Sequence, residues 1–379
     1  MRRFLLFLLL SLVVISAACV GSGGQGSTTQ VESLTTTSSH SSQVSSSTNP
    51  TQTQETTTTA TTPKTPETWN MTLAWNVSTG GVPFMDLSPD GSLAAVIGWD
   101  RGVLYLVKPN GESTALKVWE GDNVQPTISG VAIKDGVAYV LAKYEEFAGV
   151  RKYSWNGKVG EERHGWGGSM SDQIVRSPSG NHLCYLVTAE ATRQELYCDG
   201  AKMTLDGDDY VLTGVSDTGV VVLTRDDTGL IFKEGSGILS LNTSNVIAYN
   251  DRLIVSENGY LKVYDLNGTL LAEKKGYTFK TKGLLATGKY LFRNEPLEDT
   301  SVLTWNLTEV GTLPGFPKFA NENFVVMKDD DFLRCYSLKD FHEVFSVEAP
   351  GADFVRLSDD GRAMLVSDGY GRYWLYIGD

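Results

Sequence analysis

The sequence has no Cys-x-x-Cys pair, and its 379 residues hold only four cysteines and four histidines. Local zinc-binding patterns need closely spaced ligands of those two types, so their mechanism is missing. No Gly-x-Ser-x-Gly nucleophile elbow is present either. Basic residues are in deficit, with Lys+Arg 32 against Asp+Glu 45 and a formal net charge of -13. A chain of that balance lacks the cationic surface that gripping nucleic-acid phosphates requires. No amphipathic stretch reaches about twelve residues, which excludes a helical bundle. Long apolar runs are also lacking, apart from one at the N-terminus.

That run, Phe4 to Ile15, is interrupted only by Ser11 and follows the basic start Met1-Arg2-Arg3. It is too short for a bilayer span of roughly 20 residues. Small residues Ser16, Ala17 and Ala18 then lead into Cys19, completing the three-part build of a secretory signal over residues 1–18. The order resembles the lipobox of bacterial and archaeal lipoproteins, with Ser16 standing where that pattern usually has Leu. The resemblance implies a lipidated Cys19, a mature chain starting there, and a membrane-anchored protein at the cell surface.

From Ser22 to Thr68, 26 of 47 residues are Ser or Thr. So little apolar surface cannot offset the entropy of ordering, and the stretch 19–68 reads as a disordered stalk. As a flexible coil it would span roughly 40 Å end to end. Gly21-Ser22-Gly23-Gly24-Gln25-Gly26 matches a dinucleotide-binding spacing, but no strand precedes it and no helix follows, so it is set aside.

The remainder, 69–379, carries 29 basic and 42 acidic residues, hence the whole net charge. Short runs rich in Val, Leu, Tyr and Phe alternate with turn residues, the mark of consecutive β-hairpins. Leu87-Ser88-Pro89-Asp90-Gly91 and Leu357-Ser358-Asp359-Asp360-Gly361 are near copies of one turn. Between them stand turns at Asp135-Gly136, Ser177-Pro178-Ser179-Gly180, Asp217-Thr218-Gly219, Asn250-Asp251, Thr287-Gly288 and Asn321-Glu322-Asn323. Eight turns at such spacing suit four-stranded propeller blades. Aromatic residues followed by polar turn residues recur after each, as in Tyr264-Asp265, Trp305-Asn306, Tyr336-Ser337 and Tyr153-Ser154. They predict where a third strand ends and one blade packs on the next.

The domain thereby resembles β-propeller families with WD, TolB-like and quinoprotein-like repeats. The resemblance implies an all-β ring of four-stranded blades, eight by this count. Seven is the alternative if a short unit near 210–275 is misread. The last unit has room for only three strands, so Met71 to Val77 is predicted to complete it and close the ring, removing two exposed edges.

Signals of chemistry are sparse. Gly283 to Lys289 has phosphate-loop spacing, but Tyr290 stands where Ser or Thr must hold magnesium. His342-Glu343 begins a zincin-like motif whose second histidine is Ser346. Asp206-Gly207-Asp208-Asp209 and Asp329-Asp330-Asp331 offer oxygen ligands for calcium without the spacing of a calcium loop, so solvated turn carboxylates are the simpler reading. Neither a metal nor a cofactor is predicted. Asp86 and Arg356 stand at equivalent positions before their turns, on what would be innermost strands of neighbouring blades. Ligand contact in a central channel, a structural ion pair and separately solvated ends all fit them. Arg163, His164 and Gly-flanked Trp166 read as a small-molecule or glycan platform in an inter-blade loop, or as ordinary packing.

Cys184 and Cys198 lie symmetrically about a turn, so a cross-strand disulfide and two buried thiols are both open, leaving Cys335 free. Asn70, Asn76, Asn242, Asn267 and Asn306 each begin an Asn-x-Ser/Thr glycosylation triplet. The expected function is a surface lipoprotein whose propeller binds a protein, peptide or glycan without catalysis, including an assembly or transport accessory of the quinoprotein-like type. An extracellular quinone- or metal-dependent dehydrogenase or lyase is the rival.

Overall fold

The computed structural model describes residues 67–98, 102–119, 124–145, 147–165, 172–190, 192–276, 284–294 and 299–379. The signal, Cys19, the stalk up to residue 66 and Trp166 lie outside them. All regular structure in the described residues is β-strand, arranged as eight antiparallel four-stranded sheets. Seven are consecutive in the chain: blades 1 to 7 occupy 83–117, 127–164, 173–206, 211–241, 246–275, 284–313 and 316–348. Blade 8 combines 354–378 with the strand Met71–Ser78, which pairs with Arg372–Gly378. The predicted closure is therefore present, with Leu73 opposite Tyr376 and Asn76 opposite Trp374.

Each of the eight repeated turns joins the first strand of a blade to the second. Six of the eight place a residue at positive φ: Asp135 and Asn250 adopt it through short polar side chains, and Gly91, Gly180, Gly219 and Gly361 as glycines, with Gly91 and Gly361 at +70° and +75°. Neighbouring turns are laced together. The Asp359 N–H donates to Pro89 O at 2.7 Å, the Ser179 N–H to Asp217 at 2.8 Å, and the Gly288 N–H to Glu322 at 3.1 Å.

The apolar core is divided among the seams. Eight buried clusters each join two adjacent blades, from blades 1 and 2 around to blades 8 and 1. Alternation along each strand explains this, since side chains on both faces of an inner strand meet a neighbouring sheet. The aromatics read as third-strand ends do pack there: Tyr153, Tyr264, Trp305 and Tyr336 all join seam clusters. Burial of such area, at about 25 cal/mol per Å², is the chief stabilising term.

Candidate functional site

The innermost strands approach one another in ring order and enclose a channel. Pro83–Leu87, Gln173–Arg176 and Phe354–Leu357 are the innermost strands of blades 1, 3 and 8. They carry Asp86, Arg176 and Arg356. Asp86 is 7% exposed and Arg176 10%. The Arg176 Nε donates to Asp86 Oδ2 at 2.9 Å and its Nη2 to Oδ1 at 3.0 Å, a two-pronged charge-assisted contact. Asp86 Oδ2 also accepts the Ile133 N–H of blade 2 at 2.8 Å. Arg176 further donates to the carbonyls of Leu87, Ser177 and Pro178. Burial opposes its charge, but the attraction of Asp86 outweighs this and holds the guanidinium pKa above its ordinary value.

Arg356 is placed differently. Its Nε lies 3.8 Å from Asp86 Oδ1, and its Nη1 donates to Val355 O at 3.0 Å. Its Nη2 meets no acceptor among the described residues. The side chain is 41% exposed, and that exposure is to the space of the channel. Desolvation by the surrounding walls, joined by repulsion from Arg176, pulls its pKa down against Asp86, although a guanidinium stays charged at neutral pH. Two cations thus face one carboxylate, and the nearer cation takes it.

Two cavities meet at Arg356. One, of about 240 Å³, opens toward the repeated turns and includes Asp86, Arg176, Pro178 and Asp359. Burial raises the Asp359 pKa, with Arg176 opposing and Asp217 reinforcing. The other, of about 270 Å³, opens at the opposite end, where the innermost strands begin. Phe84, Met85, Ile174 and Phe354 are among its walls, with Ser129 and Gln173. The buried Gln173 amide oxygen has no donor there. At this end the exposed apolar side chains Val82, Val124, Phe316 and Phe354 stand at or just before the starts of blades 1, 2, 7 and 8.

The structure links the anticipated pair, Asp86 and Arg356, only at the outer limit of an ion pair. The partner it gives Asp86 instead, Arg176, was not singled out by sequence. Arg176 immediately precedes Ser177-Pro178, in the place that Leu87 and Leu357 fill before Ser88 and Ser358. An arginine replacing a buried leucine at that repeat position was the available signal.

Arg163 and His164 fall on the outermost strand of blade 2, Gly157–His164, rather than in a loop. Arg163 donates to Glu161 at 2.8 Å and lies over the Phe147 ring at 4.7 Å. His164 packs on Tyr197 at 4.0 Å between centroids and is 3.1 Å from the Tyr185 hydroxyl. Burial lowers its pKa, against the pull of Glu162. Tyr185 donates to Glu162, and Tyr197 to Glu195 at 2.6 Å. This aromatic group supplements the seam between blades 2 and 3, so these two residues are engaged in packing.

Cys184 and Cys198 are directly opposed on adjacent strands of blade 3 and joined by a disulfide. Cys335 is free and buried, and desolvation raises its thiol pKa well above the ordinary value. A separate apolar cleft of about 220 Å³ lies beside the disulfide, between Met203 and Phe232. All five triplet asparagines are exposed. In the acidic clusters, Asp209 pairs with Arg225 at 2.9 Å and Asp329 with Arg334 at 3.1 Å. Among the described residues, no three His, Cys, Asp or Glu side chains converge as a metal site.

The ring, its closing strand and its channel define an eight-bladed β-propeller of WD-repeat-like form. Similar folds include the computationally designed protein Ika8, at a TM-score of 0.59 and 14% identity, covering 80% of this chain and 99% of that one. The C-terminal WD40 domain of Sif2 aligns at a TM-score of 0.54 and 12% identity, covering 82% and 98%. At such identities the likeness concerns the fold alone. No family profile matches the sequence. The chain belongs to the same family as an uncharacterized protein of Archaeoglobus fulgidus, with 61% identity over 317 residues, 82% of this chain and 90% of the relative.

Proposed function

We propose that this protein is a cell-surface lipoprotein, anchored through lipidated Cys19, whose propeller is a non-catalytic binding module. The observation that carries the binding reading is Arg356: a fixed guanidinium in the channel, with donors left over after Asp86 is taken by Arg176. A charged group held without a full partner costs stability, so its retention fits a role in recognition. Around it stand the Val355 carbonyl, the Asp86 carboxylate at 3.8 Å, the Arg176 guanidinium and apolar walls. That carboxylate is engaged by Arg176 through two hydrogen bonds rather than left poised as a base, which favours binding over turnover. Anchoring rests on the ordered basic, apolar and small residues that precede Cys19.

Fractionation of cells making the full chain or its Cys19→Ser variant tests the anchor. The full chain is expected in the membrane fraction and accessible to added protease, and the variant is expected in the medium. Equal membrane retention of both overturns lipidation. For the module, a ligand recovered chemically unchanged after incubation supports binding. Product formation, or bound quinone or calcium with turnover, supports the enzyme reading instead.

A further inference from the structure

The 270 Å³ cavity has a definite chemical character. Arg356 is the only ionisable group among the described residues that line it; Phe84, Met85, Ile174 and Phe354 supply apolar wall, and Ser129 and Gln173 the uncharged polar part. The acidic group Asp359 belongs to the opposite cavity. Asp86 is held by Arg176, so it leaves Arg356 incompletely neutralised. We propose that this end of the channel is a binding site for a small monocarboxylate with an apolar body, its carboxylate against Arg356 and its hydrocarbon against Phe84, Met85, Ile174 and Phe354.

The class follows from charge, size and surface together. One available guanidinium matches one negative charge, whereas a phosphate dianion would find a single cation beside a carboxylate. The volume lies near the lower end of ligand pockets, roughly 300–1,000 Å³, which favours a small molecule over a chain segment. The four apolar side chains reward hydrocarbon burial, which acetate has too little carbon to exploit. Arg356 lines both cavities and Phe354 is exposed, so a carboxylate that reaches Arg356 leaves its apolar end toward Phe354. This inference rests on the binding-module reading and names its ligand class.

Titration calorimetry of the purified full chain with octanoate tests it, with acetate, octylammonium and inorganic phosphate as comparison probes. Octanoate is expected to bind, the other three to bind at least about tenfold more weakly. Arg356→Gln is expected to weaken octanoate at least about tenfold. Phe354→Ala, at an exposed position that folding tolerates, is expected to weaken it about threefold or more. Undetectable octanoate binding, equal binding of octylammonium, or binding unchanged in Phe354→Ala overturns the site. So does a short apolar peptide with a free C-terminus that outcompetes octanoate tenfold, since the occupant would then be a polypeptide. A failure here with an unmodified ligand still captured elsewhere on the propeller removes this inference and leaves the module reading. Turnover of a substrate removes the module reading itself.

Discussion

Asp86 and Arg176 stand 90 residues apart on blades 1 and 3, yet share two hydrogen bonds, at 2.9 and 3.0 Å, across the channel. Blade 2 lies between them in sequence and contributes the Ile133 N–H to the same carboxylate. One acidic side chain therefore ties three blades at the centre of the ring.

Replacing Asp86 with Ala leaves two guanidiniums facing each other without the carboxylate between them, with only the more distant pull of Asp359 and Asp217 on Arg176. Removing one partner of a buried pair costs about 3–5 kcal/mol. Denaturant unfolding of the Asp86→Ala variant is expected to show a loss of that order, and Asp86→Asn a smaller one. A change under about 1 kcal/mol would show that the pair is solvated and energetically idle.

Acid sensitivity has an assigned contributor in Glu161. The hydrogen bond from Lys158, opposed by partial burial and aided by Arg163, holds its pKa down at about 2, against an ordinary 4.5. A carboxylate whose folded pKa is depressed adds stability above its unfolded pKa and loses it as pH falls through the folded value. The gap in urea midpoint between the parent and Glu161→Gln is therefore expected to be widest above pH 4.5 and to close as pH approaches 2. A gap independent of pH removes this assignment.

The disulfide closes a short loop, with a sequence separation of 14 between Cys184 and Cys198. Loop-closure entropy gives about 3 kcal/mol for a loop of that size. Reduction is expected to lower the calorimetric midpoint while leaving octanoate binding unchanged, because neither cysteine lines the channel cavities. Parallel loss of binding would mean that blade 3 cannot hold Gln173 and Ile174 in place without the bond.

A chain beginning after Ser78 lacks the outer strand of blade 8 and bares the edge of Arg372–Gly378. Exposed edges recruit other strands. Size-exclusion chromatography is expected to show oligomers or aggregate for this truncation and a single species for the parent.

The fold was legible because its information is local and repeated. Each hairpin turn announces itself through Asp-Gly, Thr-Gly, Ser-Pro or Asn-rich residues, and eight of them count eight blades. Even the closing strand could be assigned, since Asp353 to Asp379 could supply only three strands and Met71 to Val77 had no other place. The site was legible in part. Comparing positions before the turns selected Asp86 and Arg356, but Arg176 sits one step along that repeat, and its reach past blade 2 is a tertiary fact with no local trace. His164 was misplaced for a related reason. Glycines at 165, 167 and 168 suggested a loop, while pairing of His164 with Ala148 extends the strand through it.

Trp69 lies at the entrance to the closing strand: its N–H donates to Val344 O at 3.3 Å, and its ring packs on Phe324 and Phe345. Tension applied through the preceding residues would reach the contact of Glu67 O with His342 and this indole, then the antiparallel ladder of Met71–Ser78, one rung at a time. Mechanical failure of the ring should thus begin as peeling at a single seam, with the other seven blades still intact and able to re-zip when the load is released.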